Sequence, residues 1–212
     1  AAVPPAAPPV AGGAGTEALP PPPTRATPVP PEEIAAPEGS IDLLFMMDAT
    51  LSMRKNWAQV TCQVQEAILR RPMEGEARVG FILYRDFDNQ WLTRQRYMSW
   101  DHEGALKWFM GETAKGANAY AGSASDKALT VAAMLNLRSD YRPHLMVFAD
   151  APPNDLSVAV HRARLLHVFE RAVVDGVYVD RDRETRGFMD DIARAGGGIS
   201  RALRSGGTPF AR

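Results

Sequence analysis

The stretch Ile41-Asp-Leu-Leu-Phe-Met-Met-Asp-Ala-Thr-Leu-Ser-Met53 decides how the rest of the chain is read. Leu43 to Met47 is a short unbroken apolar run, the pattern of a strand buried on both faces. It stops at Asp48, and oxygen-bearing side chains follow at alternate positions: Asp48, Thr50 and Ser52. An amphipathic pattern starts directly afterwards. Strand, polar loop, helix is the arrangement at which parallel α/β sheets place ligands, outside the carboxyl ends of the strands. Three hard oxygen donors in one tight loop suit a hard cation such as Mg²⁺, which takes near-octahedral oxygen ligands at about 2.0–2.1 Å. The same three residues suit a second role equally well, that of capping the helix that follows.

Working outward, Trp57, Val60, Val64, Ala67 and Ile68 recur at three- and four-residue steps, which predicts a helix from 52 to about 70, ended by Pro72 and Gly75. Arg78 to Tyr84 is a second apolar strand, followed by the polar turn Arg85 to Gln90. Trp91 to Trp100 alternates in the manner of a half-exposed edge strand, antiparallel to its neighbour. Helices are expected over 101–112 and Asp126–Leu137, separated by a long loop of small polar residues from Gly111 to Ser125. His144 to Ala149 is a third buried strand and it too ends on an aspartate, Asp150. Pro152 and Pro153 force a turn before a helix from about Asp155 to Arg171. Val173–Val179, Glu184–Ala195 and Gly198–Leu203 complete the order as strand, helix and strand. Strands alternating with helices predict an α/β fold: three layers, Rossmann-like, with a mainly parallel central sheet and one antiparallel edge strand.

Composition narrows the function classes. A net charge of −1 over 212 residues gives no electrostatic reason to expect nucleic acid as the main partner. The single cysteine, Cys62, rules out an intramolecular disulfide, and the scattered His102, His144, His161 and His167 offer no zinc-ligand spacing. No apolar stretch approaches the roughly 18–20 residues that span a bilayer. Residues 1–40 hold 12 of the 17 prolines and no aromatic residue. Such a segment favours extended polyproline II and reads as a Pro/Ala-rich arm, either a tether or a pre-extended docking element. The folded domain is expected over 41–203, with 204–212 as a frayed tail. A first residue of Ala1 fits either a removed leader or a trimmed chain, and an Ala/Pro-rich arm leading to a folded domain is a common look for periplasmic or secreted proteins.

Three stretches resemble a bacterial subgroup of the von Willebrand factor type A (vWA) family. They are Asp48-Ala-Thr-Leu-Ser-Met53, Tyr84-Arg-Asp86 and Ala149-Asp-Ala-Pro-Pro153, in the family's order and each at an expected strand end. The resemblance covers roughly 41–203. It implies a metal-ion-dependent adhesion site in which Asp48, Thr50 and Ser52 ligate a divalent cation, usually Mg²⁺ (or Mn²⁺ or Ca²⁺). A second loop supplies a hydroxyl, best matched by Ser125 with Ser123 as the fallback, and Asp150 supplies the late aspartate. The chain departs from the subgroup at three places. Leu51 stands where the subgroup has Gly, and is strained if the turn needs positive φ. Ser125 replaces threonine, and Lys127 stands where an acid is usual, which puts a positive charge near the ion. Asp86 and Asp88, at the end of the second strand, read as turn formers or as partner-facing acids.

The resemblance implies a non-enzymatic protein–protein interaction module, part of a larger assembly, whose cation is completed by an Asp or Glu carboxylate of the partner. The rival reading is a structural subunit of a multi-protein complex that docks through its edge strand and Pro-rich arm, with a degenerate metal site. A metal-assisted hydrolase is a remote third reading, because no His, Lys or Cys is placed as base or nucleophile beside the loop.

Overall fold

The computed structural model describes residues 39–70, 76–86, 91–115, 123–138, 140–179 and 183–203. The expected arm, apart from Gly39 and Ser40, the tail 204–212, Asp88 and residues 116–122 of the 111–125 loop lie outside these residues.

Six strands form one sheet: β1 (Ile41–Asp48), β2 (Ala77–Tyr84), β3 (Thr93–Ser99), β4 (Arg142–Ala149), β5 (Val173–Val179) and β6 (Gly197–Leu203). Their order is β3-β2-β1-β4-β5-β6. Every pairing is parallel except β2 with β3, the expected antiparallel edge. The helices are α1 (Trp57–Leu69), α2 (His102–Met110), α3 (Ser125–Ala132), α4 (Leu156–Glu170) and α5 (Arg183–Ala195).

The apolar runs become central strands because both sheet faces are covered. On one face Leu44, Met46, Ile82, Leu145 and Val174 pack against Leu129 of α3, Leu166 of α4 and Met189 of α5. On the other, Leu43, Phe45, Met47, Phe81 and Phe148 meet Val60 and Val64 of α1 and Phe109 of α2. Phe81 stacks on Phe45 and on Phe109, with ring centroids 5.5 and 5.0 Å apart. Alternation between two apolar cores leaves no polar position inside β1 between Asp42 and Asp48, which explains why its sequence shows no period of two.

Two expectations change. The helix expected from residue 52 opens instead as a 3₁₀ turn, Leu51–Asn56, and becomes α-helical only at Trp57. The helix expected to reach Leu137 stops at Ala132. Past that point other elements take the backbone groups: Arg78 of β2 donates to the Asn136 carbonyl at 3.2 Å, and the Arg138 N–H donates to Asp42 of β1 at 3.0 Å. A helix through this segment would forfeit both bonds.

Candidate metal centre

β1 and β4 are adjacent and parallel, with Met47 level with Phe148, so their carboxyl ends finish at the same height. Asp48 closes β1, and Asp150 follows the last residue of β4. The loop after β1 fills the space between them. Asp48 Oδ1 accepts from the Thr50 N–H at 2.9 Å and from the Thr50 hydroxyl at 2.6 Å. The Thr50 and Ser52 hydroxyls lie 3.0 Å apart, and Ser52 donates to Asp150 Oδ1 at 2.9 Å. Four of the expected site residues are thus one continuous chain of oxygens running from strand tip to strand tip.

The helix-capping role does not hold. Neither Thr50, which precedes the 3₁₀ turn, nor Asn56, which precedes α1, makes a side-chain cap bond. The hydroxyls of Thr50 and Ser52 are turned toward each other and toward the carboxylates instead. Leu51 is not strained either: among the described residues other than glycine, only Arg171 has positive φ. A 3₁₀ turn begins at Leu51 with no positive φ, so a glycine is not required at this position.

Proton counting exposes what the chain of oxygens lacks. Three short O···O contacts share two hydroxyl protons. Once Thr50 gives its proton to Asp48 and Ser52 gives its own to Asp150, the Thr50–Ser52 contact is oxygen against oxygen. Asp48 Oδ2 is buried without a hydrogen-bond partner. A site of this kind is short of positive charge, and either a proton or a cation supplies it.

The electrostatics agree. Burial pushes the Asp48 carboxyl up to about 7, the nearby charge of Asp150 adds to the rise, and the two bonds from Thr50 pull the other way. Asp150 is also raised, chiefly by burial, while Ser52 and Lys55 oppose that rise. Beneath them Tyr84 is fully buried and its hydroxyl donates to the Phe148 carbonyl at 2.6 Å. Burial first, then the two aspartates, hold its phenol well above the usual range.

The remaining expected ligand sits on a neighbouring loop. Ser125 is the first residue of α3, fully buried, with the Ser123 hydroxyl 3.4 Å away. That loop is clamped to the one carrying Asp150: the Ser123 N–H donates to the Pro152 carbonyl at 2.7 Å, and the Asn154 N–H donates to the Ser123 carbonyl at 2.8 Å. No hydrogen bond among the described residues joins Ser123 or Ser125 to the four linked residues. Lys127 reaches the buried Asp126 carboxylate at 3.0 Å.

The Tyr84-Arg85-Asp86 stretch contributes more than turn geometry. Arg85 donates to the carbonyls of Ala49, at 3.3 Å, and Thr113, and its guanidinium lies 3.8 Å from the Trp91 ring centroid. It fixes the first loop from behind, together with the Lys115 N–H, which donates to Ala49 at 3.0 Å. Asp86 is only 2% exposed, so it is not a partner-facing acid, and its charge adds to the rise at Asp48. The motif marked these positions in the sequence; only the sheet shows that they support the loop from underneath.

The donor set is two carboxylates and two hydroxyls, all hard oxygens, with geometry set by strands and a clamped loop. Among the described residues no group of three or more His, Cys, Asp and Glu is placed to hold a metal ion.

Comparison with known proteins bears on the scaffold. No family model and no curated protein matches the sequence. Solved structures do match. The SpRpn10 VWA domain aligns with a TM-score of 0.56 at 12% identity, over 79% of this chain and 87% of that one. The conserved hypothetical protein BatB from Bacteroides thetaiotaomicron aligns at 0.53 and 16%, over 76% and 89%. The pilus adhesin SpaC from Lactobacillus rhamnosus GG aligns at 0.56 and 13%, over 78% of this chain and 28% of the adhesin. Identities this low speak to fold and not to activity. With six strands in the order β3-β2-β1-β4-β5-β6, one antiparallel edge and helices on both faces, this chain has the von Willebrand factor type A fold.

Proposed function

We propose that the chain is a non-enzymatic protein–protein interaction module that engages a partner through a divalent cation at the tips of β1 and β4. Asp48, Thr50, Ser52 and Asp150 would hold the ion, Mg²⁺ in first place, and Ser125, or Ser123 beside it, would supply the hydroxyl of the adjacent loop. The observation that carries this reading is the Asp48–Thr50–Ser52–Asp150 chain, short of one positive charge, with Asp48 Oδ2 buried and unbonded. When bound, the cation would recruit an Asp or Glu carboxylate of another protein. The side chains would do the rest: two carboxylates would fix the ion, two neutral hydroxyls would leave it short of negative charge, and Arg85 braces the loop through the Ala49 carbonyl.

The experiment is calorimetric titration of EDTA-stripped protein with Mg²⁺ and Mn²⁺, beside Asp48→Ala. Saturable heat in the parent and none in the variant is expected. No saturable heat in the parent would end the cation reading. In that event the structural-subunit reading gains, and it has its own support at the sheet edge. There β3 carries Tyr97, and Trp100 follows it, 66% and 58% exposed. Partner binding that persists in EDTA and in Asp48→Ala, but fails when these two are altered, would favour it.

A further inference from the structure

α4 carries far more apolar surface than its packing uses. Nine of its fifteen residues are Leu, Val, Ala or Phe, yet only Ala159, Ala163 and Leu166 are buried. Val158, Val160 and Leu165 are half-buried, Val160 against the core, while Leu156, Val168 and Phe169 are 39%, 61% and 74% exposed. Leu156, Val160, Arg164 and Val168 are spaced four apart and form one straight stripe. This stripe is one wall of a groove whose other wall is α5, at Asp191, Arg194 and Ala195. A surface helix whose apolar residues face outward beside a groove is the mark of a binding face rather than of a solvated one.

Charge decides the occupant. The one carboxylate lining the groove among the described residues, Asp191, is already matched by Arg194 at 3.2 Å. Arg164, midway along the stripe, has no ion pair among the described residues, and His161 lies one turn before it. The groove therefore has a largely apolar wall on α4 with one unmatched cation, Arg164, set in it. Self-association fits poorly, because a two-fold pairing of α4 would bring the Arg162–Arg164 segments of both copies together at the centre of the stripe. An acidic amphipathic helix fits well. From Leu156 to Val168 is twelve residue-to-residue steps, about 18 Å at 1.5 Å per step, which matches a helix of about three turns.

We propose that the α4–α5 groove is a second, cation-independent docking surface, which takes an amphipathic helix of a partner protein with an apolar face and acidic flanks. The acid flanks meet Arg164 and the apolar face covers Leu156, Val160 and Val168. The surface is separate from the strand-tip site and does not depend on that site's being a metal centre.

The probe is a fluorescein-labelled fourteen-residue helical peptide with Leu at every third or fourth position and Glu at its flanks, next to a Lys-flanked peptide with the same Leu pattern. Both are titrated by anisotropy in EDTA, which keeps the outcome independent of any cation. The Glu peptide is expected to bind at least tenfold more tightly than the Lys peptide. Arg164→Glu is expected to invert that preference, and Val168→Ser to weaken the Glu peptide at least threefold while leaving the far-ultraviolet spectrum unchanged. Both substituted side chains are exposed, so folding is preserved. Equal affinity for the two peptides, a preference unchanged in Arg164→Glu, or no saturable binding of the Glu peptide up to 1 mM would each overturn the proposal.

Discussion

The hydroxyl of Ser52 donates to Asp150 Oδ1 across 2.9 Å, joining residues 98 positions apart. That one contact turns two strand tips into a pocket: it links the loop after β1 to the loop after β4, where the charge of Asp150 adds to the rise of the Asp48 carboxyl.

Removing that link tests whether the pocket holds an ion. Ser52→Ala is expected to lower Mg²⁺ affinity at least tenfold by calorimetry, while costing only about 1 kcal/mol of folding stability, the usual net worth of one hydrogen bond. A large loss of stability with unchanged Mg²⁺ binding would make Ser52 a purely structural residue.

The raised Asp48 carboxyl makes cation-free protein pH-sensitive. The folded state holds a proton at Asp48 up to about pH 7, whereas the unfolded chain releases it near 3.8. A folded-state value above the unfolded one contributes stability fully present below pH ~4 and lost as pH rises through about 7. Asp150, also raised, acts with the same sign. Denaturation in EDTA is therefore expected to show less stability at pH 8 than at pH 5.5, by on the order of a few kcal/mol. Mg²⁺ should restore it at pH 8 and do little at pH 5.5, where it must displace a proton. A flat EDTA profile across this window would contradict the site's charge balance.

Neutralising the carboxyl permanently should separate stability from binding. Asp48→Asn keeps an oxygen for the two bonds from Thr50 and removes the buried charge. It is expected to raise cation-free stability at pH 8, flatten the pH profile, and abolish the Mg²⁺ response.

At the opposite end of the sheet, Asp42 and Arg78 form a buried two-pronged pair at 2.8 and 2.6 Å. Arg78 also lies 5.6 and 5.3 Å from the ring centroids of Trp100 and Tyr141. Asp42→Ala strands that guanidinium and unbinds the Arg138 N–H, so a loss of about 3–5 kcal/mol is expected by urea denaturation. Mg²⁺ binding, at the far end of the strands, should be unaffected.

Arg171 closes α4 in the left-handed region, at φ 54°. A side chain pays a steric penalty there that glycine does not. Arg171→Gly is expected to stabilise the protein by about 0.5–1 kcal/mol, measured by thermal denaturation at fixed ionic strength.

Much of the scaffold was legible in the sequence. Val173–Val179 was readable residue for residue, and β1, β2 and β4 within one or two positions, because strands buried on both faces are made mostly of apolar residues. Trp91 to Trp100 alternated because β3 is an edge, half-buried through most of its length. Helix ends were less legible. α3 stops early because Asp42 and Arg78, far away in sequence, capture the backbone at 136 and 138. The three motifs marked Asp48, Thr50, Ser52 and Asp150 but left two roles open, helix cap or ligand cluster.

By itself the sequence determined the element order, the parallel character of the sheet and the oxygen-rich loop ends, since each is written in local periodicity and residue type. Only the tertiary structure decided that β1 lies beside β4, that the hydroxyls of Thr50 and Ser52 turn to the carboxylates instead of capping, that Asp86 is buried, and that α4 shows an apolar stripe to solvent. Those outcomes depend on which strands become neighbours and how much water each side chain keeps, and both are set by packing between residues far apart in the chain.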